Sequence, residues 1–182
     1  MFLIVEGLHD SGKSTLISKL ISKLQFDLYL GKRMFPELLN VESSSVSDFS
    51  LGSNIAISFF ANYCNHDVVF DRLHFSEFAY SVLKKRLTIE NAFSRFQIID
   101  SKLSQSNTIV VYLYCNYEDM IERRKDKNLV YTKQDYDELT KLFLYVNEKT
   151  KLPILLIDTS KDVNIVYEEV SKWILKMSSY NF

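Results

Sequence analysis

The chain has 182 residues, 47% of them hydrophobic and 25% charged, with a net charge of −1. That balance excludes a disordered chain and gives no basic stripe for duplex nucleic acid; no apolar run is long enough to span a bilayer. One domain with a substantial core, spanning 1–182, is the expectation from length. The opening apolar run is too short for a signal peptide. The two cysteines, Cys64 and Cys115, have neither metal nor redox spacing, which points to a reducing cytoplasm.

In chain order, Phe2-Leu3-Ile4-Val5 reads as a buried strand over 2–6. Gly7-Leu8-His9-Asp10-Ser11-Gly12-Lys13-Ser14 follows it, a complete G-x-x-x-x-G-K-[ST] pattern. A helix over about 13–24 comes next, with Leu16, Leu20 and Leu24 recurring every fourth residue. A chance glycine-rich turn would lack these flanks; strand, loop and helix together make a phosphate cradle. Backbone N–H groups converge on phosphate oxygens, the helix adds its positive end, and Lys13 adds a charge. Gly7, Asp10, Ser11, Gly12, Lys13, Ser14 and Thr15 are therefore the expected triphosphate contacts, with the Ser14 hydroxyl placed for Mg²⁺.

A second strand is predicted over 26–30, then a loop through Pro36 and the serine-rich stretch Glu42–Ser53. A helix over 54–65 carries Ile55, Phe59 and Tyr63, and a third strand over 67–71 ends in Asp71. Helices over 75–86 and 89–104 lead to a strand over 108–115, a helix over 117–124 and a charged loop over 125–132. A helix over 133–149, a strand over 153–158 and a helix over 163–177 complete the chain. Such alternation predicts a P-loop NTPase-type three-layer α/β sandwich: five parallel strands, helices on both faces, and the ligand beyond the strands' carboxyl ends.

Three further groups carry chemistry. Asp71-Arg72 has the form of a Walker B carboxylate with a cation beside it for an acceptor phosphate, although a strand-end Asp also serves as a helix cap. Arg123-Arg124-Lys125, with Lys127, either supplies arginines to a phosphoryl-transfer transition state from a lid at about 125–132, or is a solvated helix end. Lys32-Arg33-Met34-Phe35-Pro36-Glu37 mixes cations with an aromatic that can stack on a base; Phe59, Phe60 and Tyr63 complete such a pocket or belong to the core.

These residues resemble the thymidylate kinase family from end to end. Phe2–Gly7 with Gly12-Lys13-Ser14-Thr15 is similar to its opening strand and loop, and Phe35-Pro36-Glu37 to its loop after the second strand. Asp71-Arg72-Leu73-His74-Phe75-Ser76-Glu77-Phe78-Ala79-Tyr80 resembles its Asp-Arg…Ser…Ala-Tyr block, and Asp158-Thr159-Ser160-Lys161 its adenine loop. The resemblance implies γ-phosphate transfer from ATP to a deoxynucleoside monophosphate, with Mg²⁺ held near Ser14 and Asp71 and a homodimer as the usual assembly. Lys13, Asp71, Arg72, Arg123 and Arg124 are then catalytic; Thr159, Ser160 and Lys161 bind adenine; His9, Arg33, Phe35, Glu37, Phe59, Tyr63, Arg72 and Tyr80 bind the acceptor. The sequence departs from the family at His9, where a carboxylate is usual, and at Leu38, where an arginine is. No arginine lies between Arg33 and Arg72. A pyrimidine monophosphate, dTMP or a 5-modified relative, is the expected acceptor. The rivals are a deoxynucleoside kinase using Glu37 as base, a kinase acting on a base or an end within DNA, and a non-catalytic nucleotide switch.

Overall fold

The computed structural model describes residues 1–31, 43–124 and 131–179. Five strands form one parallel sheet: β1 (Phe2–Gly7), β2 (Leu28–Gly31), β3 (Val68–Asp71), β4 (Thr108–Tyr114) and β5 (Ile154–Asp158). Their order is β2-β3-β1-β4-β5, so β1 is central, with β3 on one side and β4 on the other. Seven helices connect the described parts: α1 (Lys13–Leu24), α2 (Ser43–Tyr63), α3 (His74–Leu83), α4 (Ile89–Leu103), α5 (Tyr117–Glu122), α6 (Lys133–Asn147) and α7 (Val163–Ser178). This is the α/β sandwich predicted from the sequence.

Alternation along β1 explains the three layers. Phe2 and Ile4 point into a core shared with α2, α3, α4 and α6. Leu3 and Val5 point into a second core built with α1 and α7. A strand covered on both faces reads as an unbroken apolar run, and that is what Phe2–Val5 shows. The register sets Asp71 beside Val5 and Leu113 beside Gly7, so three carboxyl ends meet where the phosphate loop leaves the sheet.

The serine-rich stretch corrects the expectation of a loop. Helix α2 begins at Ser43 and runs unbroken to Tyr63. Serine weakens helices when its hydroxyl competes for local backbone. Here two polar side chains of the stretch find tertiary partners: Ser50 Oγ donates to Glu77 Oε2 on α3 at 2.6 Å, and Asp48 pairs with Arg95 on α4 at 2.7 Å. Helix α2 buries Asn54, Ser58 and Ala61. Phe59 and Tyr63 are turned off that face and exposed, whereas Ile55 is half-buried against the core.

Candidate active site

The loop between β1 and α1 has the backbone that phosphate wrapping needs. Gly7, Asp10 and Gly12 all have positive φ, at 139°, 56° and 87°. At Gly7 a side chain is excluded, since its Cβ would drive into the Leu113 carbonyl oxygen of β4. Ser11 is wholly buried and its hydroxyl donates to Leu8 O at 2.9 Å. Lys13 turns its ammonium back onto the loop, donating to Leu8 O and, at 3.2 Å, to Ser11 Oγ. Burial, seconded by the Arg72 charge, lowers its pKa to about 7, with Asp71 and Glu6 pulling the other way. Ser14 and Thr15 are exposed on the first turn of α1.

Beside the loop, the corner after β3 presents Asp71 and Arg72. Asp71 Oδ1 is buried without a hydrogen-bond partner among the described residues, while Oδ2 accepts from Tyr29 at 3.4 Å. Arg72 holds a left-handed conformation, φ 67°, and its N–H donates to Val5 O at 3.0 Å. The guanidinium lies 5.5 Å from the centre of the Tyr80 ring. His9 packs edge-on to Tyr80 and stacks on Tyr131, at centroid distances of 5.4 and 5.3 Å. His9, Arg72 and Tyr80 thus form one wall beside Lys13. Burial pushes the Tyr131 phenol up to about 12, with the Arg72 and Arg124 charges opposing it.

On the other side of the loop is a cleft of about 230 Å³ lined by Gly12, Thr15, Arg123, Thr159, Lys161 and Val163. Arg123 Nη1 donates to Thr159 Oγ1 at 3.1 Å and Nη2 to Thr159 O at 2.6 Å. Thr159 is anchored in turn, its N–H and hydroxyl both donating to Tyr114 O, at 2.8 and 3.0 Å. Ser160 N–H closes a turn on Asp158 Oδ1 at 2.9 Å, and Lys161 pairs with Glu169 at 3.0 Å.

The structure therefore brings together Gly7, Asp10, Ser11, Gly12, Lys13, Ser14, Thr15, Asp71, Arg72, His9 and Tyr80, with Arg123, Thr159 and Lys161 across the loop. It places Arg123 on the cleft side, whereas Arg124 follows it half-buried and within electrostatic reach of Tyr131. Arg33, Phe35, Glu37 and lid positions 125–130 lie outside the described residues. Phe59 and Tyr63 are not brought to the loop. They sit 49% and 82% exposed in the half of α2 that leads to the start of β3, and Lys102 lies 4.1 Å over the Phe59 ring.

Sequence reasoning about the site omitted Glu6. It is the last β1 residue before Gly7 and is 0% exposed. Its Oε1 accepts from the N–H groups of Leu73 at 2.6 Å and Ser76 at 3.4 Å; its Oε2 accepts from Ser76 Oγ at 2.5 Å. The available signal was a carboxylate directly continuing an apolar strand buried on both faces, where a charge needs partners.

Solved structures share this architecture. The YorR protein from Bacillus subtilis, in complex with phosphorylated GDP, superposes with a TM-score of 0.73 at 19% identity, covering 100% of this chain and 99% of YorR. Deoxyadenosine kinase from M. mycoides with bound dATP gives 0.69 at 18% identity over 96% of this chain and 99% of its own. Thymidylate kinase from Candida albicans gives 0.64 at 17% identity, over 96% and 91%. The sequence matches no protein-family model and no curated protein. The fold is that of the P-loop nucleotide kinases.

Proposed function

We propose that the protein transfers the γ-phosphate of ATP to a deoxynucleoside monophosphate, with a pyrimidine such as dTMP or a 5-modified relative as the preferred base. The observation that carries this reading is Arg72, held at a left-handed corner beside the phosphate loop with its guanidinium against Tyr80. A fixed guanidinium next to Lys13 suits a dianionic phosphate, which it can grip with paired hydrogen bonds, and offers nothing to a neutral hydroxymethyl group. The fold shared with a thymidylate kinase and a deoxyadenosine kinase supports phosphotransfer to a nucleotide or nucleoside, and Arg72 is what favours the monophosphate within that class.

In this reading the triphosphate lies along residues 7–15 with its adenine in the cleft by Thr15, Arg123, Thr159 and Lys161. Mg²⁺ fits the residues present: Asp71 offers a buried oxygen without a partner among the described residues, and Ser14 an exposed hydroxyl. Among the described residues no three His, Cys, Asp or Glu side chains cluster as a protein-only metal cage. Few protein ligands are what a phosphate-bound Mg²⁺ uses. Bound there, the ion would neutralise charge developing on the transferred phosphoryl group. Lys13 and Arg72 orient donor and acceptor phosphates, and Arg124 meets the transferring group from the far side. His9 and Tyr80 face the acceptor sugar; Arg33, Phe35 and Glu37, outside the described residues, are the further acceptor contacts that the family resemblance implies. A homodimer in the cytoplasm belongs to the same reading. No helix among the described residues is long and apolar enough to cross a membrane.

The test is an acceptor panel with ATP and Mg²⁺: dTMP, dUMP, 5-substituted dUMP, dCMP, dGMP, dAMP and the parent nucleosides. The monophosphate should outpace its nucleoside by about tenfold or more, because unpaired site cations penalise the smaller acceptor. Equal or faster turnover of the nucleoside, abolished by Glu37→Gln, would assign a nucleoside kinase instead. Absence of turnover with every acceptor would leave a nucleotide switch.

A further inference from the structure

We propose that Glu6 is a positioning residue for the acceptor phosphate: its buried carboxylate sets the place of the Arg72 guanidinium without touching substrate. The inference rests on the acceptor reading above. All of its hydrogen bonds go to the residues just after Arg72, namely the N–H groups of Leu73 and Ser76 and the Ser76 hydroxyl. A carboxylate buried this completely is costly unless every lone pair is used, and removing its partners strands the charge. The direction of its bonds therefore has structural force: the end of β1 holds the corner that begins α3.

That corner needs holding. Arg72 is a non-glycine residue at φ 67°, a conformation that persists only when its surroundings over-determine it. Two consecutive β1 residues do so. Val5 O accepts the N–H of residue 72, and Glu6 accepts those of residues 73 and 76. Ser76 lies one helical turn before Tyr80, the ring beneath the guanidinium, so one carboxylate fixes both the root of Arg72 and the surface on which its tip rests. Glu6 thus links the donor loop, which starts at the next residue, to the acceptor cation on the neighbouring strand.

The experiment is a double-mutant cycle on the full chain with dTMP, or the best acceptor of the panel, and ATP. Glu6→Gln keeps size and one acceptor oxygen but loses the charge and the second acceptor. It should lower kcat/KM for the monophosphate by about tenfold, leave KM for ATP within about twofold, and leave turnover of the parent nucleoside unchanged. In an Arg72→Ala background the same substitution should cost less than about twofold, since the residue through which Glu6 acts is already gone. Should Glu6→Gln fail to fold, Ser76→Ala removes a single bond and carries the same cycle with a smaller loss. Equal losses in both backgrounds, or KM for ATP rising in step with that for the acceptor, would overturn the proposal and make Glu6 a general core residue. A wild-type enzyme that phosphorylates no monophosphate would instead sink the acceptor reading itself, and this inference with it.

Discussion

The Arg123 guanidinium is held on Thr159, one nitrogen 3.1 Å from the hydroxyl and the other 2.6 Å from the carbonyl oxygen. Both residues line the cleft beside Thr15, which the proposed function gives to ATP, so on that reading Arg123 acts at the ATP end of the site. Neighbouring arginines should then have separable kinetic signatures. Arg123→Ala should raise KM for ATP about tenfold or more with a smaller change in kcat. Arg124→Ala should lower kcat by about two orders of magnitude, roughly 3 kcal/mol, with KM for ATP nearly unchanged. Steady-state kinetics on the two single variants check this; a reversed pattern would exchange the two roles.

Lys13 predicts a proton-coupled binding step. Its pKa of about 7 lies below the ordinary value of 10.5, because the ammonium is buried and faces the Arg72 charge. A bound triphosphate restores the preference for the charged form. Between about pH 7 and the pKa of the complex, nucleotide binding must therefore take up close to one proton, and affinity must fall as pH rises. Calorimetry in buffers of different ionisation enthalpy at pH 8 to 8.5 measures that proton directly, and Lys13→Met should remove it. The same shift makes the free protein gain stability as pH rises from about 7 towards 10.5, because over that range the unfolded chain binds the extra proton.

Two glycines should respond oppositely to alanine. Gly7 combines φ 139° with a Cβ path blocked by the Leu113 carbonyl. Gly7→Ala should destabilise by about 2 kcal/mol or more and abolish nucleotide binding. Gly52 sits inside α2 with nothing within 4 Å of its would-be Cβ. Gly52→Ala should stabilise by about 0.5–1 kcal/mol. Urea titrations of the two variants measure both signs.

Asp100 on α4 binds three donors at once, on α3 and on the turn before β5. It accepts from His74 Nε2 at 3.3 Å, Thr150 Oγ1 at 2.5 Å and Lys151 N at 2.8 Å. Burial alone would push its pKa up, yet these bonds outweigh burial and hold it below the usual carboxylate range. Its stabilising contribution is present above the unfolded pKa and is lost as pH falls through the lower folded value. Asp100→Ala leaves the donors unpaired and should cost about 2–4 kcal/mol at pH 7, with the deficit shrinking towards acid pH. Thermal melts across pH 3–7 follow it.

The two parts of the site differ in how readable they were. The phosphate loop is local: strand, turn and helix are adjacent in the chain, so residues 7–15 were legible as a unit. Asp71-Arg72 was legible as a strand end, but that β3 pairs with β1, and so sets the pair beside Lys13, is a matter of strand order. Glu6 passed as one more strand residue, because its partners lie 67 and 70 positions away. The stretch before Ile55 looked like a loop because Glu77 and Arg95, the partners of Ser50 and Asp48, stand on other helices.

By itself, then, the sequence determined what depends on neighbours along the chain: the alternation of strands and helices, their near-correct bounds except at α2, and the tight glycine turn between β1 and α1. Hydrophobic period and backbone permissiveness are properties of a few consecutive residues, and they survive without knowledge of the rest. Only the tertiary structure decided the order β2-β3-β1-β4-β5, the early start of α2, the placing of Arg123 on Thr159 and the turning of Phe59 and Tyr63 away from the loop. Each depends on which distant group satisfies a buried charge or covers an apolar face. That energy is realised only when both partners are in place, so neither partner's own stretch of sequence announces it.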